Sequence, residues 1–242
     1  MNNWDNNYMN GYQTAVQAEN EATLQRYVAG VMRKVYGKMT LGLLATAITS
    51  FLVLSTPAVM SLLFSSTATL WLLFAAELGL VIFLSARIDK MSSAMATTMF
   101  YIYSILNGLA LTPIFLVYTG TSIATTFAIT AGTFGAMTIA GYVTKQDLSK
   151  FGSYLFMALI GLIVCVIVNM FLHNTMFDLL ISAAGVLIFT GLTAWDTQAI
   201  KRMCAQSDPS MISKVATMGA LTLYLDFINL FLYLLRFLGN RD

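Results

Sequence analysis

The chain has 242 residues, of which 58% are hydrophobic and 10% charged, with a formal net charge of +2. Soluble domains carry about 25% charged residues, so a water-soluble globule is excluded, and lipid must solvate much of the apolar surface. The small net charge, spread over several loops without a basic run, argues against a nucleic-acid partner.

The first 25 residues are polar and lack a basic stretch followed by an apolar core. Residues 1–24 therefore read as a mobile cytosolic N-terminal tail rather than a cleaved signal peptide. From residue 25 to 242 the sequence is a succession of apolar runs. About 20 such residues cross the roughly 30 Å hydrocarbon layer as a helix. Backbone polar groups inside lipid must be paired within the spanning element, and no alternating segments suited to a β-barrel are visible. The runs predict seven spans: Met39–Leu63 with a break near Pro57, Thr69–Arg87, Ala94–Val117, Ile123–Val143, Tyr154–Leu172, Met176–Asp196 and Val215–Leu238. Their connections are short, which predicts one all-α bundle with antiparallel neighbours. In the fourth span, Gly132, Gly135, Ala136, Ala140 and Gly141 suggest close helix packing, or only the ordinary abundance of glycine in membrane helices.

Lysine and arginine set the expected orientation. Arg26, Arg33, Lys34, Lys38, Arg87, Lys90, Lys145, Lys150, Lys201, Arg202 and Lys214 fall on one side, and only Arg236 and Arg241 on the other. The N-terminus is thus expected in the cytosol. An odd span count puts the C-terminus outside, against the pull of its two arginines, so the seventh segment could also re-enter or stop short.

Carboxylates within spans are costly and usually face an interior cavity. Glu77, Asp196 and Asp226 are the candidates, while Asp178 lies near a span end and can reach the headgroups. Asp226 is flanked by apolar residues on both sides, roughly 18 Å along its helix from Lys214. Asn229 is three residues on and shares its face. A neutral Asp226 acting only as hydrogen-bonding glue is the plainer alternative. Asp196 lies about 7 Å from Lys201 and alone reads as a carboxylate at the cytosolic rim. Were the two to meet, they could not both ionise easily and would share a proton; upright helices, however, would leave them about 8 Å apart in depth. Glu77 should face the bundle, and Arg87 either snorkels to the interface or turns inward to a carboxylate. His173 reads as solvated, Cys165 and Cys204 as reduced, and no phosphate loop, nucleophile elbow or His-Glu-x-x-His pattern occurs.

Gly219-Ala-Leu-Thr-Leu-Tyr-Leu-Asp-Phe-Ile-Asn-Leu-Phe-Leu closely resembles the signature of the Bax inhibitor-1 family, as does Gly191-Leu-Thr-Ala-Trp-Asp-Thr-Gln, where bacterial members often have tyrosine at the position of Trp195. Phe134-Gly-Ala-Met, Gly141-Tyr-Val-Thr-Lys-Gln-Asp-Leu-Ser and Phe156-Met-Ala-Leu-Ile-Gly are similar to further family segments. The resemblance covers about residues 26–241, and the short polar start is like that of bacterial members. It implies a seven-helix bundle with the last helix central, in a bacterial inner membrane. It also implies a pH-sensitive calcium leak, with Asp196 and Asp226 as proton sensor and Arg87 engaging Asp196 in the closed form. Glu77 occupies the place of an acidic residue linked with ion passage.

The leading expectation is thus a pH-sensitive calcium (cation) leak channel gated by Asp196, Asp226 and Arg87, with Glu77 and Asn229 along the ion pathway. Calcium favours carboxylate and carbonyl oxygens, so Asp196 and Asp226 could hold it transiently as cargo; no cofactor is expected, and the partners are calcium ions, protons and the bilayer. The alternative is a membrane interaction protein that regulates a protease or another membrane complex. An intramembrane enzyme is not expected, because Leu225 stands where the Gly-x-Gly-Asp pattern of aspartyl proteases needs glycine.

Overall fold

The computed structural model describes residues 3–240, with the side chains of residues 3–16 and of Asp89 left undescribed. The N-terminal tail expected over residues 1–24 lies partly outside the described residues, and so does Arg241. The backbone from Asn3 onward is helical, and residues 17–24 are exposed.

Among the described residues the regular structure is helical: α1 (Asn3–Leu54), α2 (Pro57–Phe64), α3 (Thr67–Arg87), α4 (Ser93–Leu111), α5 (Ile114–Val117), α6 (Gly120–Val143), α7 (Ser149–Leu172), α8 (Thr175–Gln206) and α9 (Ile212–Leu238). Seven segments are long and apolar enough to cross a membrane, as the hydrophobic runs predict. The helix starts follow local chemistry. Ser66, Ser92, Thr119 and Asn174 each accept a hydrogen bond from a backbone N–H of the first turn, which satisfies a donor that has no partner in the helix. His173 closes α7 in the left-handed region, at φ 49°.

Two boundaries differ from expectation. The first span does not run on to Leu63: α1 stops at Leu54, and Pro57 opens the separate short helix α2, because proline is accommodated in a first helical turn but not in the interior. The sixth span does not end near Asp196. Helix α8 continues ten residues further to Gln206, and its 32 residues make a rod of about 48 Å.

The seventh segment does not re-enter. Its 27-residue helix α9 is about 40 Å long. Beyond it, the Asn240 backbone N–H donates to Ser122 Oγ at 2.8 Å, and its carbonyl accepts from Thr119 N–H at 3.3 Å. Asn240 therefore lies at the Thr119 end of the bundle, opposite the lysine-bearing 144–148 loop. Arg236 there donates to Asp178 at 3.3 Å, so its charge is answered locally and does not hold the C-terminus on the basic side.

Helix α9 packs against α8, α1, α6 and α4. In its most apolar stretch 67% of residues are buried, against 33% or less in the other six spans. Helices α3 and α7 are the opposite case, at 6% each. Their outward faces, with Leu72, Phe74, Val164 and Phe171 more than half exposed, form part of an apolar belt that acyl chains would cover. The small residues of α6 do not act together: a Cβ at Gly132 or Gly135 would meet nothing within 4 Å, whereas one at Gly141 would collide with the Ala194 carbonyl. Only that glycine is required for backbone approach, and the approach it allows is to α8 two residues before Asp196.

Candidate functional site

The longer α8 narrows the depth gap between the two aspartates to about 6 Å along the helices. Asp196 lies ten residues, about 15 Å, above the end of α8, and Asp226 fourteen residues, about 21 Å, above the start of α9. The carboxyl groups come within hydrogen-bonding reach of each other. Asp226 is 4% exposed, and its Oδ2 has no hydrogen-bond partner among the described residues; Asp196 is half-buried. Close packing holds the α8 side of the pair. Gly141 of α6 admits the Ala194 carbonyl, and Gly152 of α7 lies against the Trp195 ring, where any Cβ would clash.

Other buried polar atoms lie on the neighbouring helix faces. The Tyr36 hydroxyl from α1 approaches Thr197 of α8 and Thr138 of α6 without a well-formed hydrogen bond. Thr197 Oγ1, Thr138 Oγ1 and Trp195 Nε1 are likewise buried and unpartnered among the described residues. Asn107 Oδ1 and the Tyr27 hydroxyl are in the same state, so what distinguishes the Asp196–Asp226 site is the approach of two carboxyl groups rather than its unpartnered neighbours.

The other expected site residues are placed differently. Glu77 is half-buried and accepts a short hydrogen bond from Asn107 Nδ2 of α4. Around it run Tyr103, whose ring meets that of Tyr224 edge-on at 5.9 Å, and Thr46, whose hydroxyl is 2.6 Å from that of Tyr224. This second acidic cluster lies between α3, α4, α9 and α1. Asn229 donates to the Leu225 carbonyl of its own helix at 2.8 Å and is not drawn to either cluster by a hydrogen bond. Arg87 is exposed in the last turn of α3, and among the described residues no ion pair joins it to Asp196 or Asp226. Nor do three His, Cys, Asp or Glu side chains gather to hold a metal among them.

Sequence reasoning missed two features. Asn107, a lone amide within apolar α4, signals by its polarity only that it needs some partner, and the structure supplies Glu77. Lys38, counted only for orientation, donates to Thr97 Oγ1 at 2.8 Å, Thr217 Oγ1 at 2.6 Å and the Ser213 carbonyl at 3.3 Å. Its ammonium thereby joins α1, α4 and α9 at their basic ends. Outside the spans, Asp147 accepts from the Ser149 hydroxyl and N–H and from Arg202 at 2.6 Å. These contacts, Ser149 foremost, hold its carboxyl down at about 2.

Comparison with known proteins agrees with this architecture. The family model described as "Inhibitor of apoptosis-promoting Bax1" matches residues 28–242. The chain is 51% identical over 223 residues to the inner membrane protein YbhL of Escherichia coli, covering 91% of this chain and 94% of that one. It is 45% identical to an uncharacterized protein of Borreliella burgdorferi (87% and 91% covered) and 42% identical to the uncharacterized protein RP147 of Rickettsia prowazekii (90% and 91% covered). With seven apolar helices and a match of this extent, the chain is a membrane protein of the Bax inhibitor-1 family.

Proposed function

We propose that this protein is a pH-sensitive cation leak of the bacterial inner membrane, with calcium as cargo and the Asp196–Asp226 pair as its proton sensor. The observation that carries the reading is that two carboxyl groups, one on α8 and one on α9, come within hydrogen-bonding reach of each other inside a helix bundle. Two carboxyl groups hydrogen-bond only while one carries a proton. Removing that proton sets two negative charges against each other across the α8–α9 contact, and a closed–open equilibrium that differs in this contact responds to pH.

Calcium takes six to eight oxygen ligands. Two carboxylates supply too few, so an ion at the pair would draw the rest from water, hydroxyls such as Thr197 and backbone carbonyls. That composition suits passage better than storage. Glu77 enters as a second acidic station and Arg87 as a cation that the pair recruits when its charge rises. Asn229, bonded to its own helix, has the weakest support. The excess of lysine and arginine at one end supports an N-terminus in the cytosol, and the name of the Escherichia coli relative supports the inner membrane.

The test is calcium entry into liposomes that contain only this protein, followed from pH 5 to 8. Asp196→Asn and Asp226→Asn are each expected to flatten the pH profile. If both variants keep the wild-type profile, the proton-sensing role is lost. Absence of flux from the pure protein, with one membrane partner crosslinked in cells, would favour the regulatory reading instead.

A further inference from the structure

The 144–148 loop between α6 and α7 is pinned to α8 by Gln198. That side chain accepts from Leu148 N–H at 2.9 Å and donates to the Gln146 carbonyl at 2.8 Å. The loop, residues 24–28 of α1 and the end of α8 enclose a cavity of about 550 Å³ whose wall, among the described residues, carries Lys145, Lys201 and Arg202 against one carboxylate, that of Asp147. Arg202 is taken up by Asp147 at 2.6 Å. Lys201 donates to the Tyr142 carbonyl at 2.8 Å and sits 4.6 Å from the centre of the Tyr142 ring, and neither partner cancels its charge. Lys145 is exposed. Two lysine charges are therefore left for an anion.

A second cavity, of about 660 Å³, runs between α1 and α6 and shares Tyr142 and Val143 with the first. Its wall is mainly apolar, with Ile139 and Val143 both more than 60% exposed. Gly37 borders its open space, where a Cβ would meet nothing within 4 Å. A cationic chamber at the basic end of the bundle thus adjoins an apolar groove on the lipid-facing side. Basic pockets between membrane helices suit anionic lipid headgroups, and this one has a channel for the tail as well.

We propose that the paired cavities at Tyr142 form a binding site for an anionic phospholipid, with the phosphate at Lys145 and Lys201 and an acyl chain along the α1–α6 groove.

The full-length protein in detergent is titrated with phosphatidylglycerol, phosphatidylethanolamine of the same chains, and soluble glycerol phosphate. Retention is read by native mass spectrometry and stabilisation by thermal unfolding. Phosphatidylglycerol is expected to stay bound and raise Tm, with the other two far weaker. Lys145→Gln and Lys201→Gln should each weaken retention roughly fivefold, whereas Lys145→Arg and Lys201→Arg should preserve it. Lys145 makes no hydrogen bond or ion pair among the described residues, so Lys145→Gln reports binding without disturbing the fold. Equal retention of phosphatidylethanolamine, or unchanged retention in the glutamine variants, would overturn the proposal. Stabilisation by glycerol phosphate as strong as that by the lipid would make this a free-phosphate site and overturn it too.

Discussion

The two acidic clusters within the bundle are built on opposite principles. At Asp196 and Asp226 an acid faces an acid, so a hydrogen bond between them needs a proton. At Glu77 an acid faces the amide of Asn107, which donates to a carboxylate without needing a proton. Burying a carboxyl is thus compatible with either a proton-dependent or a proton-independent contact, and the neighbour decides which. The first cluster is suited to respond to pH, the second to hold a fixed acceptor.

The largest expected effect separates the clusters directly. In liposomes, Asp226→Asn should remove most of the pH dependence of calcium flux, while Glu77→Gln, whose side-chain oxygen still accepts from Asn107, should change the rate but leave the profile's shape. A flattened profile in Glu77→Gln would abolish the distinction. Next comes the packing that supports the aspartate pair. Gly141→Ala should destabilise by about 1–3 kcal/mol through the clash with Ala194, and Gly132→Ala, in open space, should leave thermal stability within about 0.5 kcal/mol. Smaller again is Tyr224→Phe in the second cluster. It removes the 2.6 Å contact with Thr46 at about 1 kcal/mol, since Thr46 keeps its bond to the Ser104 carbonyl at 2.8 Å. The smallest effect is expected at Asp147. Its folded value of about 2 lies below the ordinary 3.8, so the stabilisation from its contacts is complete above that ordinary value and lost as pH falls through about 2. Asp147→Asn should therefore leave the flux profile from pH 5 to 8 unchanged, and any difference in unfolding should narrow only in stronger acid.

Much of this was legible in the sequence because lipid leaves few options. Uninterrupted apolar runs gave the spans, and Asp226 was conspicuous among leucines. The depth of Asp196 was not legible. Lys201 and Arg202 looked like a loop, yet both are accommodated on the continuing helix, one by the Tyr142 carbonyl and ring, the other by Asp147. The partner of Glu77 was hidden for a different reason: Asn107 is thirty residues away on another helix, and composition does not encode which faces meet. The glycines of α6 left two readings open because they look alike in sequence but differ in what lies opposite them: of Gly132, Gly135 and Gly141, only Gly141 faces a backbone.

The ammonium of Lys38 grips hydroxyls on α4 and α9 at 2.8 and 2.6 Å. With Lys38 held in place, sliding α9 along its axis by a full turn, about 5.4 Å, would carry Thr217 out of hydrogen-bonding distance. Such a fastening tolerates rocking far better than piston motion. Under the proposed gating, a tilt of α9 about this fastening would displace Asp226, nine residues or about 14 Å from Thr217, more than it displaces the basic end.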